Sequence, residues 1–332
     1  MTPRGSASSG GNSGEGSSPA PPPQPAPSPG DTGLIGALAA AAAAAARDGA
    51  AALASAVEAA SEKAAGAEHE AKRLTGETRS TARDFRSKPE VPESGRAADK
   101  LTDLKRELEG SDGLEETIGR SQAGLARARS CLSATDLQEL ESCQGGVPGA
   151  LAGLKTAARY AQGVGETLKG DKDLRQVRKT LERHCGDRRP GSSKCWGIGR
   201  LNSYVSTAQG TASGIRDELD GAADAWADTD AGGKKAAALA KRAAGLRVQI
   251  DELRAAIEAA GVPLRPGGMP MIDAIGEAER AFTEAERAYA EASAGRGDST
   301  AAAARGNQAA ARGALALNRL LTLLEPLLEP DP

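Results

Sequence analysis

The residues that could do chemistry in this 332-residue chain are concentrated in one short segment, HCGDRRPGSSKCW, at 184–196. It contains one of the two histidines of the chain, two of its four cysteines and one of its two tryptophans. Its basic residues are Arg188, Arg189 and Lys194. These residue types are compatible with a zinc site, an activated thiol or a disulfide bond. The spacing of the residues discriminates among the three.

Spacing disfavours both the metal site and the thiol site. Structural zinc sites favour cysteines about two to four residues apart, whereas nine residues separate Cys185 from Cys195 and eleven separate Cys131 from Cys143. A nucleophilic cysteine needs a base in contact with it. Chain neighbours on a helix, such as His184 and Cys185, point about 100° apart. We keep zinc and thiol chemistry as alternatives, and we expect the basic residues of this loop to be solvated.

The helical pattern on either side of the segment favours a disulfide bond. Cys185 follows Leu181 by four residues and Cys195 precedes Ile198 by three, so both cysteines face the seam between two helices. The glycines and the proline between them end one helix before the next begins. Antiparallel neighbours joined by a short loop satisfy the distance that a disulfide requires. We therefore predict a bond between Cys185 and Cys195.

Cys131 and Cys143 form the second candidate pair. A helix over 134–144 would hold them well over about 10 Å apart, so a bond between them requires a bent segment. Four cysteines allow three pairings, and the sequence does not choose among them. We predict a Cys131–Cys143 bond and leave exchange with the other pair open.

Composition excludes several classes of protein. Aromatic residues make up only 2% of the chain, and the abundance of alanine, leucine and charged residues is typical of long helices and coiled coils. A net charge of −3 gives no electrostatic argument for binding nucleic acid. No Walker loop, dinucleotide fingerprint, HExxH or GxSxG motif occurs. We predict no catalytic residue, no metal, no cofactor and no small-molecule substrate, and thus a protein that is not an enzyme.

Apolar residues recur at steps of three and four over most of the chain, which predicts an all-α fold of antiparallel bundle and coiled-coil hairpins. The clearest stripe is Ile198, Leu201, Val205, Ala208, Ala212, Ile215, Leu219, Ala222 and Trp226. The predicted segments are a disordered Gly/Ser/Pro-rich extension at 1–31, a long Ala-rich helix at 32–87, a linker at 88–96, a cysteine-containing helical region at 97–196, an antiparallel bundle at 197–328 and a tail at 329–332. The long helix has a weak apolar stripe and becomes polar nearly all round in its second half.

The sequence also carries an expectation about location. The apolar run at 34–46 is shorter than the roughly 20 residues that span a membrane, so we expect no transmembrane helix. Asp31 precedes the run and the extension has few basic residues, so we expect no clear signal peptide. A leader with atypical flanks that includes the run is the alternative. Disulfides persist in oxidising compartments. We expect a cell-envelope or secreted protein, with a cytoplasmic one as the alternative.

These features favour a non-enzymatic scaffold or interaction protein that binds a protein partner, or itself, through helical seams. The Ala-rich composition resembles that of granule-coating phasins and desiccation-protective helical proteins, without a shared motif. This resemblance implies an alternative, a cytoplasmic coating protein that binds lipid or a hydrophobic granule through residues 33–86. A membrane-surface partner is thus an alternative that we do not favour. The third alternative is a thiol enzyme or zinc protein that uses 184–196.

Overall fold

The computed structural model describes residues 33–144, 146–186, 192–228, 230–259, 268–295 and 298–328, and these residues form helices and turns without a strand. The predicted all-α bundle is therefore confirmed. The predicted extension at 1–31 and tail at 329–332 lie outside the described residues. The helices are α1 Leu34–Arg86, α2 Ser94–Glu109, α3 Leu114–Leu132, α4 Leu137–Gln144, α5 Gly146–Gly170, α6 Lys172–Cys185, α7 Trp196–Ala223, α8 Ala225–Asp228, α9 Asp230–Ala259, α10 Gly268–Ser293 and α11 Ser299–Leu328.

Helix α1 is the axis on which the other helices pack. Its 53 residues span about 80 Å, and along this length it contacts α2, α3, α7, α9 and α11. Most of its buried residues are alanines, and the polar second half is buried as well, along a stripe of small and large residues. The fully buried members of that stripe include Ala60, Ala64, Ala67, Ala71, Leu74, Thr78 and Phe85. This weakly striped helix is thus covered by other helices of its own chain.

Cross-helix contacts show that α7 runs antiparallel to the second half of α1. Along this contact, residue numbers increase in α7 as the residue numbers of their partners in α1 decrease. The pairs are Arg200 with Asp84, Tyr204 with Thr78, Thr211 with Arg73 and Gly221 with Lys63. Helices α2 and α3 also run antiparallel to α1. The pairs are Arg79 with Glu109 of α2, Arg129 of α3 with Glu58, and Arg47 with Thr135, which lies just after α3. Helix α5 packs against both α3 and α7.

Helices α9, α10 and α11 are joined by ion pairs at steps of seven residues, and the order of these pairs makes consecutive helices antiparallel. Between α9 and α10 the pairs are Arg247–Glu286 and Arg254–Glu279; between α10 and α11 they are Arg305–Glu291, Arg312–Glu284 and Arg319–Glu277. Exposed pairs of this kind each contribute about 0–1 kcal/mol. Their main effect is to fix the register of the helices.

Residues from Leu34 onward form one compact unit. Helix α7 packs chiefly against α1 and α5. Helix α10 packs on α9 and α11, and these two helices also pack on α1. The segment boundaries predicted from the sequence stay predictions, since helix contacts run across them.

The composition of α1 also raises the question of whether this helix could cross a membrane. Among the described residues, α1 is the one helix that is long and apolar enough to cross a bilayer, with an 18-residue window of mean hydropathy 1.3. Of that window, 44% is buried inside the bundle. Buried core helices and signal sequences share this composition, so the expectation of no transmembrane helix stays a prediction.

Two buried hydrogen-bond sets connect α1 to its neighbours. The hydroxyl of Tyr289 donates to Asn307 Oδ1 at 2.5 Å, and Asn307 Nδ2 donates to the carbonyl of Gly49 at 2.7 Å, which joins α10, α11 and α1. The hydroxyls of Thr78 and Tyr204 lie 2.8 Å apart between α1 and α7. Buried polar groups are costly unless they are paired, so these sets select one arrangement of the helices.

Position 49 requires a residue without a side chain. A Cβ there would lie 2.0 Å from Asn307 Oδ1 and 2.7 Å from the Tyr289 hydroxyl. We expect Gly49→Ala to lower the free energy of unfolding by about 1–3 kcal/mol, because a locked polar pair must move. Gly76→Ala is the matched control on the same helix, where nothing lies within 4 Å, and it should be neutral or stabilising by up to about 1 kcal/mol. Urea denaturation measures both; a Gly49→Ala protein as stable as Gly76→Ala would contradict the packing described.

Burial raises the pKa of all three tyrosines. It raises the pKa of Tyr204 to about 12, and it raises the pKa of Tyr160 and, most strongly, of Tyr289. An unfolded phenol titrates near 10. The folded state therefore keeps protons that the unfolded state releases, so the stability contributed by Tyr204 is complete below pH 10 and is lost as the pH rises through about 12.

We expect tyrosinate absorbance of the native protein to develop only above pH 10, with the ionisation of Tyr204 and Tyr289 accompanied by loss of helical circular dichroism. The same protein in denaturant is the control, in which all three tyrosines should titrate near the ordinary value of about 10. Full ionisation near pH 10 with the helices intact would show that these hydroxyls are not buried.

Candidate functional site

The segment singled out by its chemistry contains a disulfide bond between Cys185 and Cys195. Cys185 is the last residue of α6, and Cys195 ends the 3-10 turn Ser193–Cys195 that leads into α7. Their Cα atoms lie 4.6 Å apart, within the range of disulfide-linked residues. Cys195 is buried and Cys185 is half-buried. The pairing matches the one predicted from the seam between the two helices.

Trp196, the residue that follows Cys195, packs the region of the disulfide against the end of α1. The ring of Trp196 lies against that of Phe85, with 5.3 Å between centroids and 59° between planes. The ammonium group of Lys88 lies 5.1 Å from the centroid of the Trp196 ring. Aromatic and cation–π contacts of this geometry each contribute about 0.5–1.5 kcal/mol. The disulfide thus links α6 to α7, and the ring of Trp196 packs this pair against the end of α1.

A close approach at Gly197 completes this contact. A Cβ at position 197 would lie 2.8 Å from both Leu181 Cδ2 and Val91 Cγ1. Leu181 is on α6, and Val91 is in the connection between α1 and α2. Glycine therefore allows α7 to begin directly against both, one residue after the Trp196 ring has packed on α1.

Among the described residues of this segment, the geometry provides neither a free thiol nor a metal-ligand set. Sulfur in a disulfide is not a thiolate, which is the nucleophilic and metal-binding form of cysteine. The side chain of His184 is exposed. Across the described residues, no three His, Cys, Asp or Glu side chains are grouped so that they could hold a metal ion. Lys194 is exposed, and Arg188 and Arg189 lie outside the described residues.

The second candidate pair is described only in part. Cys131, near the end of α3, is disulfide-bonded. The side chain of Cys143 lies outside the described residues, so the Cys131–Cys143 pairing stays a prediction.

Sequence reasoning missed the residues of α1 and of the following connection that contact the start of α7, directly after the disulfide. Phe85, Lys88 and Val91 are far from Cys185 in the chain, and no motif relates them to it. The only signal was compositional, because Phe85 is one of two phenylalanines in the chain.

No family model matches this chain, and neither a curated protein nor a solved structure matches it. Any function must therefore be argued from the residues of the chain itself.

The stabilising effect of the bond can be measured. We expect replacement of both cysteines by serine, in a Cys185→Ser/Cys195→Ser variant, to lower the free energy of unfolding by about 2–3 kcal/mol, because the unfolded chain is no longer cross-linked. His184→Ala, beside the bond and exposed, is the matched control and should be neutral. Urea denaturation without reductant keeps the disulfide of Cys131 intact in all three proteins. Equal stability of the double variant and the control would contradict a stapling role.

Proposed function

We propose that this chain is a non-enzymatic α-helical scaffold or interaction protein that works outside the reducing cytoplasm. The observation that carries this proposal is the disulfide between Cys185 and Cys195, packed beside α1 through Trp196. Cys185 and Cys195, the most reactive residues of the segment, form a bond that holds two helices together. A protein whose activity depends on shape and surface is the interpretation that this use of cysteine supports best.

The state of the cysteines supports the location that we propose. Cys131, like Cys185 and Cys195, is disulfide-bonded. Disulfides are rare in cytosolic proteins because thiol reductants keep cysteines reduced, and they persist in the cell envelope and outside the cell. We therefore propose an extracytoplasmic protein, in the envelope or secreted.

The finer architecture that we propose is one of coiled-coil hairpins. The support comes from α9, α10 and α11, where arginine–glutamate pairs recur every seven residues beside an apolar seam. Charged pairs flanking an a/d seam are the means by which coiled coils choose partner and orientation. Charged residues arranged in the same way on an exposed helix face would let this chain bind a second helical protein.

A lipid-coating function is the second candidate, and the apolar window of α1 favours it. Leu34, at the start of that helix, is 69% exposed. Against this candidate, the alanines further along α1 face other helices of the bundle, so lipid would have to displace protein contacts. Removing α1 is not an informative test, because the bundle packs on it.

Thiol counting by intact mass, on protein alkylated during extraction, tests the proposed function; vesicle flotation of the same protein tests the lipid candidate. We expect no alkylated cysteine without prior reduction, and no flotation with anionic or neutral vesicles. Four alkylated cysteines, with no loss of stability on reduction, would contradict the proposal. Flotation that is lost on Leu34→Glu, but not on the control Val248→Glu on α9, would favour the coating function instead.

A further inference from the structure

Helix α6 is held to the rest of the fold by few apolar side chains. Of its 14 residues, the buried ones are Leu174, Val177 and Leu181, and all the others before Cys185 are polar or charged. It packs mainly against α2 and α7. An isolated helix of this length is marginal in water, and three apolar side chains form a narrow face. The helix therefore depends on the bonds that fix its two ends.

The contact beneath the first turn of α6 is incompletely filled. A cavity of about 190 Å³ lies between Leu174 and α7, where Leu201 and Val205 line it. A second cavity, of about 80 Å³, lies between Leu174 and α2, where Leu104 lines it. Leu168, at the end of α5, lines both cavities. Protein interiors are normally close-packed, so this part of α6 gains less from packing than a core helix does.

The two ends of α6 are fixed by bonds of different kinds. At the amino end, the carboxylate of Asp173 pairs with Arg96 at 2.8 Å and with Lys100 at 2.7 Å, and all three side chains are at least 35% exposed. Exposed ion pairs contribute little to stability. At the carboxyl end, the covalent bond from Cys185 to Cys195 connects α6 to the start of α7. Loss of that bond leaves α6 held by contacts that are individually weak.

The two cysteines of this bond differ in exposure and in their position relative to the helix ends. Cys185 is half-buried, whereas Cys195 is only 5% exposed. Cys185 is the last residue of α6, and Cys195 directly precedes α7. The amino end of a helix stabilises negative charge and the carboxyl end disfavours it, so Cys195 is the better leaving thiolate. Exposure and leaving-group stability therefore both favour attack by an outside thiol at the sulfur of Cys185.

We propose that the Cys185–Cys195 bond is a redox switch that controls the docking of α6 and that is opened by a protein dithiol. One thiolate of the dithiol attacks the sulfur of Cys185, the disulfide breaks, and Cys195 leaves as a thiolate that takes up a proton. The second thiol of the reductant loses its proton and attacks the mixed disulfide, which releases Cys185 as a thiolate that is protonated in turn. The reductant becomes a disulfide, and two electrons and two protons pass to the cysteines.

Opening the bond releases α6 and uncovers the apolar surface beneath it. Leu168 and Leu201, which line the cavity under α6, are buried while the helix is docked. Helices α5 and α7 remain in place because they pack on each other, and α7 also packs on α1. This inference goes beyond the proposed function, since it lets the redox state of the surroundings change the surface that the chain presents.

Hydrogen–deuterium exchange, read by mass spectrometry, tests the release of α6. Replacing Cys131 and Cys143 by serine isolates the bond, because Cys185 and Cys195 are then the only cysteines of the chain. After reduction of this variant by a thioredoxin, we expect exchange over 172–185 to become about tenfold faster or more, with exchange in α5 and α7 unchanged. A Cys185→Ser/Cys195→Ser variant should show the fast exchange without any reductant, and it tests the release independently of the first variant.

A trapping experiment identifies the sulfur that is attacked. A thioredoxin whose second active-site cysteine is replaced by serine forms the first mixed disulfide and does not resolve it. We expect peptide mapping to place this adduct on Cys185. His184→Ala, beside the bond and exposed, is the matched control and should give the same adduct.

Three results would overturn the inference: a bond that thioredoxin leaves intact in the folded protein, an adduct on Cys195, or unchanged exchange of α6 once the bond is reduced. Faster exchange of all the helices together would overturn it as well, because the bond would then hold the whole fold and not α6 alone. Thiol counting separates the switch from the proposed function. Alkylated cysteines in freshly extracted protein contradict the proposed location, whereas the switch is tested on protein that has been oxidised again.

Discussion

The whole bundle depends on close packing against the small residues of α1. An alanine buries little apolar surface by itself, so the helix gains stability only by being covered along most of its length. Most of that cover comes from α2, α3, α7, α9 and α11, and α4 and α8 add smaller contacts. Small residues let neighbouring backbones approach, and at Gly49 the approach is so close that an amide from α11 bonds to the carbonyl of α1. Of the larger side chains on α10, Tyr289 reaches Gly49 of α1, whereas Phe282 packs against Gly313 of α11.

Electrostatics has a different part in this fold. The arginine–glutamate pairs among α9, α10 and α11 are largely exposed, so they contribute modestly to stability. Their seven-residue spacing matches the spacing of the apolar seam, which means that a slip by one turn would separate every pair at once. Register is thus specified by charge, whereas cohesion comes from apolar contact.

The disulfide at Cys185 links local and distant structure. It closes a hairpin between α6 and α7, and through Trp196 it fixes that hairpin to Phe85 at the end of α1. The axis helix is thereby held at its carboxyl end by the aromatic contact, and near Gly49 by the Tyr289–Asn307 pair. Constraints at both places favour a single rigid shape, which suits a protein that presents helix surfaces to a partner.

Much of this protein follows from local pattern. Steps of three and four residues predicted the helices because helical periodicity depends only on neighbours in the chain. The same periodicity predicted the Cys185–Cys195 bond, since both cysteines continue stripes that meet in a hairpin. What the sequence by itself determined, then, is the all-α class, its helical seams and this one cross-link. The central place of α1, the contact of Trp196 with Phe85 and the close packing at Gly49 were decided only by the tertiary structure. The physical reason is that small side chains gain little free energy from burial, so their environment depends on which distant helices pack against them.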